Sequence, residues 1–202
     1  THNKNKCLEM MDVLSNLNIE LLILHEFPEI GEIIEDGATL EENALIKART
    51  VQKLTKLPAL ADDTGLEVDA LGGAPGVFSA RYSGENCSYS DNVNKLLKDM
   101  ETVPNDKRMA KFRTVMAFVD DKMELITEDF VEGIITDVTK GIDGFGYDPV
   151  FYVPEMNKTY AEMSMKEKNQ ISHRGKALMK MQKLLHERLP KIFHQMEDLP
   201  KT

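Results

Sequence analysis

The fold class that the sequence predicts is α/β, on two observations. Segments whose apolar residues recur every three or four positions, as on one face of a helix, cover residues 39–54, 90–100 and 172–189. Segments with the alternating or continuous apolar pattern of strands lie at residues 57–70 and 111–138. The chain has 202 residues, of which 42% are hydrophobic, so we expect one globular domain over residues 1–202.

Polar residues open the chain, and a predicted helix follows them. Residues 1–6 read THNKNK, and one helical face then carries Leu8, Met11, Leu14 and Leu17. Such a helix start can bind an anion through its backbone N–H groups and the positive end of its dipole, and Lys6 adds a full charge. The alternative is a frayed polar terminus. Residues 19–24 are apolar enough for a strand.

The next helix is predicted to begin after Thr39. Thr39 and Glu42 have the T-x-x-E spacing of a capping box, which gives Glu42 a structural role at the helix start. The functional alternative for Glu42 is a metal ligand beside the acidic pair that follows this helix. Asn43 and Lys47 are four residues apart and share a face, from which they reach either a phosphate or solvent.

Two adjacent carboxylates, Asp62 and Asp63, stand at the centre of residues 59–84. An apolar run precedes them and an alternating run follows Gly65, which predicts a buried strand, a sharp break and a second strand. Neighbouring side chains of a strand point to opposite faces, so the two acids face different surroundings. Burial would raise one pKa and suit it to a metal ligand or a base. The alternative is an ordinary turn.

Residues 111–119 predict a central strand, because their second half is apolar on both faces. Residues 120–122 predict a hairpin turn, and residues 123–138 predict further strands. Residues 141–149 then read GIDGFGYDP. Their glycines allow the backbone to approach a ligand, Phe145 offers a stacking face, and Asp148 can accept hydrogen bonds from a base edge. The alternative is a loop in which Phe145 fills the core.

The last third predicts two helices. Ser164 and Glu167 form a second capping box, and Ser172 caps a long helix that Pro190 is expected to end. His173 and Arg174 occupy the first turn of that helix, where positive charge opposes the dipole. With Lys168 upstream, they indicate an anionic or carbonyl-bearing ligand. The alternative is pairing with carboxylates of this acidic chain.

Composition excludes several classes. The formal net charge of −9 argues against binding a nucleic acid polymer, which requires a basic face. The sequence contains no apolar run of membrane-spanning length and no signal-peptide pattern, so we expect no membrane partner. Cys7 and Cys87 are isolated and have no metal-ligand spacing, as in a cytoplasmic protein with reduced thiols.

Four ordered motifs together resemble the inosine triphosphate pyrophosphatase family over almost the whole chain. They are T-x-N-x-x-K at Thr1, Asn3 and Lys6, E-N-A-x-x-K-A at residues 42–48, A-D-D-[ST]-G-L with G-G-A-P-G-x-x-S-A-R-Y-S-G at residues 61–84, and G-F-G-Y-D-P with S-H-R-G at residues 144–149 and 172–175. The resemblance implies an elongated mixed β-sheet flanked by helices, with a central nucleotide cleft between two lobes, in a homodimer. It also implies Mg²⁺-dependent hydrolysis of ITP, dITP and XTP to the monophosphate and pyrophosphate.

The resemblance also assigns site residues. Asp63 would be the general base and a metal ligand, and Glu42 and Asp62 would complete the metal site. The substrate-binding residues would be Thr1, Asn3, Lys6, Lys47 and Thr64 at the phosphates, and Phe145, Gly146, Tyr147, Asp148, Lys168, His173 and Arg174 around the purine. Three alternatives stay open: a pyrophosphatase for pyrimidine or standard nucleotides, a nucleotide-binding regulator without turnover, and an acidic interaction scaffold.

Overall fold

A computed structural model describes residues 4–15 and 20–197, with side chains over residues 5–15 and 20–188. The predictions for Thr1, Asn3 and Leu17 lie outside the described residues. The helices are α1 (Lys4–Leu14), α2 (Leu40–Thr55), α3 (Tyr89–Asp99), α4 (Met165–Ile171) and α5 (His173–Glu197). The strands are β1 (Ala59–Val68), β2 (Pro75–Gly76), β3 (Met109–Val119), β4 (Glu124–Ile135), β5 (Phe151–Val153) and β6 (Lys158–Thr159). In this part of the chain no helix is long and apolar enough to cross a membrane.

The described strands form one sheet in the order β2-β1-β3-β4-β5-β6. Each pairing between them is antiparallel. β3 lies between the long strands β1 and β4, which confirms its predicted central position, and residues 120–123 close the β3–β4 hairpin. The predicted further strands at residues 123–138 are one strand, β4. The α/β fold with a sheet flanked by helices is confirmed, and the sheet, expected to be mixed, is antiparallel throughout the described strands.

Helices cover both faces of the sheet. α2 buries Leu40, Ala44 and Ala48 against a cluster that includes Val115 and Ala117 of β3. On the opposite face, a second cluster joins Met116 and Phe118 of β3 to Leu178 and Met181 of α5. A third cluster, around Phe112, Phe151 and Tyr160, fills the other end of the sheet beside α3. Alternate β3 residues therefore face different helices, which explains why this strand is apolar on both sides.

The predicted break at Asp62 and Asp63 is wrong, because β1 runs without interruption from Ala59 to Val68. All ten of its residues have partners on β3, from Ala59 opposite Val119 to Val68 opposite Ala110. The two acids need no turn to reach polar partners, since cationic side chains from the flanking helices meet them on each face. Both the strand–break–strand prediction and the turn alternative are therefore corrected.

Three other predictions near the chain ends are also corrected. Residues 20–23 pair with no described strand. On α1, Leu8 is 54% exposed and Met11 45%, because the helix turns Glu9 inward, where it pairs with cations of α4 and α5. The last helix continues to Glu197, so Pro190 does not end it. A proline inside a helix removes one backbone donor, and the helix continues here despite that cost.

Candidate active site

A cleft of about 1690 Å³ lies along the edge of β1. β2 pairs with β1 only at Leu66 and Glu67, so among the described strands the edge of β1 from Ala59 to Thr64 has no partner. The cleft is bordered by α1, the irregular residues 20–35, α2, the loop before β5 and the start of α5. Because it follows a strand edge, the cleft is reached by side chains from both faces of the sheet.

Asp62 and Asp63 point to opposite faces of β1, as the alternation of strand side chains predicts. Asp62 meets Lys6 of α1 at 3.0 Å and Arg174 of α5 at 3.3 Å. Asp63 meets Lys47 of α2 at 2.7 Å. Both carboxylates are buried, with 2% and 8% of their surface exposed. The structure thus places two adjacent carboxylates in two separate cationic environments beside one cleft.

On the Asp63 side, one ammonium group joins two carboxylates. Lys47 Nζ donates to Asp63 Oδ1 at 2.7 Å and to Glu35 Oε2 at 2.8 Å. Asn43 Nδ2 donates to the other oxygen, Asp63 Oδ2, at 3.4 Å. Burial raises the pKa of Asp63 above its ordinary value, and the neighbouring charge of Lys47 only partly opposes this effect. Asn43 and Lys47 therefore both face the acid rather than solvent.

On the other face, five ion pairs link six side chains into one buried chain of alternating charge. It runs from Asp148 through Lys168, Glu9, Arg174 and Asp62 to Lys6. Burial disfavours the charge of Asp62, but Lys6, Arg174 and Lys47 outweigh it and hold the pKa of Asp62 far below its ordinary range. Arg174 at the start of α5 and Lys168 of α4 thus pair with carboxylates, as one of the two sequence interpretations held.

Thr64 adds a hydroxyl to the same face of β1. Its Oγ1 donates to Asp62 Oδ2 at 3.2 Å and accepts from Arg174 at 3.1 Å. It also lies 2.7 Å from the hydroxyl of Thr114 on β3. Thr64 therefore fixes the position of Asp62 as well as facing the cleft.

Phe145 forms the aromatic end of the cleft. Lys168 Nζ lies 4.7 Å and Arg174 Cζ 5.6 Å from the centre of its ring. Asp148 holds the loop, since its Oδ2 accepts from Phe145 N at 2.8 Å and from Lys168 Nζ at 2.6 Å. Gly144 has a φ of +76°, and a Cβ there would lie 2.2 Å from Asp148 Oδ2, so a side chain would break this arrangement.

Tyr147 and His173 are both deeply buried, whereas a residue that only contacts a ligand would be more exposed. Tyr147 is 4% exposed, and its hydroxyl donates to Ser79 O at 2.9 Å. The His173 ring stacks on Phe112 with ring centres 4.7 Å apart. Burial, together with the charges of Arg174 and Lys168, lowers the pKa of His173 well below 6.5, so its ring is neutral at physiological pH.

The start of α5 has no room for a side chain beside His173 and Arg174. A Cβ on Gly175 would lie 1.9 Å from the backbone oxygen of Asn169 in α4. Ser172 Oγ accepts from Gly175 N at 3.0 Å, which confirms the predicted cap of this helix. The tight junction of α4 with α5 places Lys168 and Arg174 around the same ring.

Glu42 forms the predicted capping box. Its Oε2 accepts from Ala38 N at 2.6 Å and from Thr39 N at 3.2 Å, and Thr39 Oγ1 accepts from Glu42 N at 3.1 Å. A capping role for Glu42 is thus observed, while its role as a metal ligand stays a prediction.

Sequence reasoning missed two carboxylates of the site. Glu9 could have been found, because it lies three residues after Lys6 and so shares its side of α1. Glu35 carries no comparable local signal. It lies in an irregular segment, and only the folded chain brings it to Lys47.

The carboxylates of β1 fit a metal that the substrate helps to hold. Among the residues that the structure describes, no group of three or more His, Cys, Asp or Glu side chains could bind a metal ion on its own. Mg²⁺ is commonly held by one or two carboxylates together with substrate phosphates. Asp62 Oδ1 is buried and has no hydrogen-bond partner in the described chain, and the Asp63 carboxylate, on the opposite face of β1, also borders the cleft. These two carboxylates fit the protein's part of such a site.

The chain is similar in sequence to proteins that are named nucleotide pyrophosphatases. The chain is 48% identical over 190 residues to the dITP/XTP pyrophosphatase of Caldanaerobacter subterraneus subsp. tengcongensis, covering 94% of this chain and 95% of the relative. It is 47% identical to the dITP/XTP pyrophosphatase of Vibrio cholerae, covering 93% and 94% of the two chains.

Solved structures share the fold. A HAM1 protein from Coxiella burnetii superposes with a TM-score of 0.85 at 44% identity, covering 93% of this chain and 96% of that one. The Ham1 protein of Staphylococcus aureus gives a TM-score of 0.83 at 36% identity, with the same coverage. The sequence model of the Ham1 family matches residues 1–184. With this match and these relatives, the chain belongs to the Ham1 family.

Proposed function

We propose that the chain, acting as one domain over residues 1–202, is a Mg²⁺-dependent pyrophosphatase of non-standard purine nucleoside triphosphates. It hydrolyses ITP, dITP and XTP to the monophosphate and pyrophosphate. One observation carries the proposal: the carboxylates Asp62 and Asp63 and the aromatic ring of Phe145 line the same cleft. The name dITP/XTP pyrophosphatase of the relatives described above supports the same substrates.

Asp63 is the proposed general base. Its carboxylate accepts a proton from a water molecule while the oxygen of that water attacks the phosphorus of the α phosphate. The bond to the bridging oxygen between the α and β phosphates then breaks, and pyrophosphate leaves. Burial raises the Asp63 pKa, which strengthens it as a proton acceptor, and Lys47 and Asn43 hold its two oxygens. A base whose oxygens are both held keeps a fixed orientation towards the attacking water.

Magnesium is the proposed cofactor, with Asp62 and Asp63 as its protein ligands beside the substrate phosphates. When bound, it neutralises charge on the phosphate oxygens. For the remaining carboxylate, the resemblance implies Glu42, and Glu35, which shares Lys47 with Asp63, is the alternative that we favour. Glu42 Oε2 is already bound to two backbone N–H groups.

The phosphates are proposed to lie between the cations at the Asp62–Asp63 end of the cleft. Lys6 and Lys47 both border the cleft there and supply positive charge, with Thr64 as a hydroxyl donor. The predicted contacts of Thr1 and Asn3 belong to the same group and stay predictions. Because Lys6 and Lys47 pair with Asp62 and Asp63, substrate phosphates would share these cations rather than find them free.

The purine is proposed to stack on Phe145, with Gly146 leaving room for the base. Donors from Lys168 and Arg174 suit O6 of a 6-keto purine, and Asp148 and neutral His173 complete the polar surroundings. The 6-amino group of adenine would face donors instead of acceptors, and an unpaired buried donor costs roughly 1–3 kcal/mol. Tyr147 acts on this loop from within the core, through its bond to Ser79 O.

The wider assignments are proposals as well. A cytoplasmic location agrees with the reduced thiols of Cys7 and Cys87. We expect a homodimer and no nucleic acid polymer or membrane as partner. Light scattering after gel filtration measures the oligomeric state, and a mass of one chain, near 22.9 kDa, would contradict the dimer.

The substitution Asp63→Asn tests the proposed base. Turnover of ITP should fall by about 10²–10⁴-fold, because removing a general base typically costs that factor. Circular dichroism should stay unchanged, since an amide still fits between Lys47 and Asn43. Pyrophosphate release under saturating Mg²⁺ is the measurement, with Asp129→Asn as a control, because this β4 carboxylate also pairs with a lysine, Lys180, but does not border the cleft. Near-normal turnover would assign the base role elsewhere.

A further inference from the structure

Tyr89 occupies the first position of α3, where its backbone is fixed. Ser88 caps the helix: its Oγ accepts from Asp91 N at 3.1 Å, and Asp91 Oδ2 accepts from Ser88 N at 2.8 Å. Three residues later, Asn92 ties the helix to the preceding loop, donating to Ala80 O at 3.1 Å and accepting from Ser83 N at 2.8 Å. The ring of Tyr89 is therefore carried by a rigid helix start.

Neither capping nor core packing accounts for an aromatic ring at this position. Tyr89 is 47% exposed and belongs to none of the buried clusters described above. Its ring borders the cleft on the same side as Phe145, with the two ring centres 6.0 Å apart and the planes tilted by 42°. Ligand clefts are lined mainly by apolar and aromatic side chains, so an exposed ring in the lining is available to contact a ligand.

We propose that Tyr89 is the outer aromatic wall of the base subsite and favours purines over pyrimidines. This inference rests on the proposed function. Lys168 and Arg174 approach the Phe145 ring from the interior, and Tyr89 lies beside it at the cleft border. The two rings form one continuous aromatic surface. A bicyclic base stacked on Phe145 covers more of that surface than a single-ring base does.

The test compares Tyr89→Ala with Tyr89→Phe and with Phe130→Ala. Phe130 is a matched control, because it is 50% exposed on β4 and does not border the cleft. In Tyr89→Ala we expect KM for ITP and Kd for IMP to rise about five- to tenfold, the lower part of the range for a lost base–aromatic contact. KM for dUTP should change less, and kcat should stay near the wild-type value because the contact is the same before and during reaction. Tyr89→Phe and Phe130→Ala should behave as wild type.

Inhibition by tripolyphosphate separates the base subsite from the phosphate subsite. Its inhibition constant should be unchanged in Tyr89→Ala, since this ligand has no base. An unchanged Kd for IMP in Tyr89→Ala, or an equal loss for ITP and dUTP, would overturn the inference. Absence of pyrophosphate release by the wild-type chain would instead contradict the proposed function, and calorimetry with IMP would still decide the role of Tyr89.

Discussion

Asp62 and Asp63 are adjacent in sequence, and the strand sends their side chains to opposite faces of the sheet. Burial opposes ionisation at both. Around Asp62, Lys6 and Arg174 outweigh that cost and lower its pKa, whereas around Asp63 the charges of Lys47 and Lys6 do not, and its pKa is raised. One residue is thus held as a permanent carboxylate and the next is suited to exchange a proton.

The pH dependence of activity should report the surroundings of Asp63. A general base must be ionised, so kcat/KM should fall as the pH drops through its pKa in the free enzyme. Glu35 contributes to raising that pKa, so Glu35→Gln should shift the acid limb to lower pH. Lys47→Gln removes the opposing positive charge and should shift it to higher pH. The profiles are measured with ITP at saturating Mg²⁺, and shifts of the same sign in both variants would contradict the assignment.

At the scale of elements, α2 begins with a capping box and then brings two side chains to Asp63. Its first turn carries the capping box of Thr39 and Glu42, and the next turn carries Asn43 and Lys47 to Asp63. The residue spacing predicted both features. It did not decide whether Lys47 reaches a phosphate or solvent, because that depends on which face α2 turns towards β1.

Glu42→Gln and Glu35→Gln should separate capping from metal binding. A glutamine oxygen at position 42 still accepts the backbone N–H groups, so the cap of α2 should be intact. Because Glu35 is the ligand that we favour, this variant should need no more Mg²⁺ than wild type. Glu35→Gln should raise the Mg²⁺ concentration for half-maximal activity about tenfold or more. Thr39→Ala serves as the capping control and should cost roughly 1 kcal/mol in urea unfolding. A higher Mg²⁺ requirement in Glu42→Gln than in Glu35→Gln would assign the role of metal ligand to Glu42.

Local patterns predicted most elements, and the errors have physical causes. Capping boxes marked the starts of α2 and α4 correctly because they depend on residues three apart. The continuity of β1 could not be read locally, since Asp62 and Asp63 resemble a turn until cations from α1, α2 and α5 meet them. The inward side of α1 was misassigned because Glu9, an acid, is buried there through Lys168 and Arg174.

At the scale of the whole molecule, the buried ion pairs join α1, β1, α4, α5 and the loop that carries Phe145. The residues involved are far apart in sequence, as with Arg174 and Glu9, so the chain of charges forms only on folding. Removing one member leaves others buried without a counter-charge, which is usually strongly destabilising. Breaking one of these pairs should therefore lower stability as well as disturb the proposed base and phosphate subsites.

Asp62→Asn should destabilise the protein at pH 7 by roughly 3 kcal/mol or more, because Lys6 and Arg174 lose a buried partner. The folded-state pKa of Asp62 is lowered, so its contribution is complete above the ordinary aspartate value of 3.8 and declines as the pH falls below it. Urea unfolding at pH 7, 5 and 3 should show a difference from wild type that is constant between pH 7 and 5 and smaller at pH 3. A difference that grows towards pH 3 would contradict this linkage.

The most direct test of the proposed function is product analysis with a panel of nucleotides. The wild-type chain is incubated with Mg²⁺ and ITP, XTP, GTP, ATP or dUTP, and the products are separated by chromatography. We predict IMP or XMP together with pyrophosphate, and little product from ATP. IDP with single phosphate, or ATP hydrolysis as efficient as that of ITP, would contradict the proposed reaction and its base selectivity.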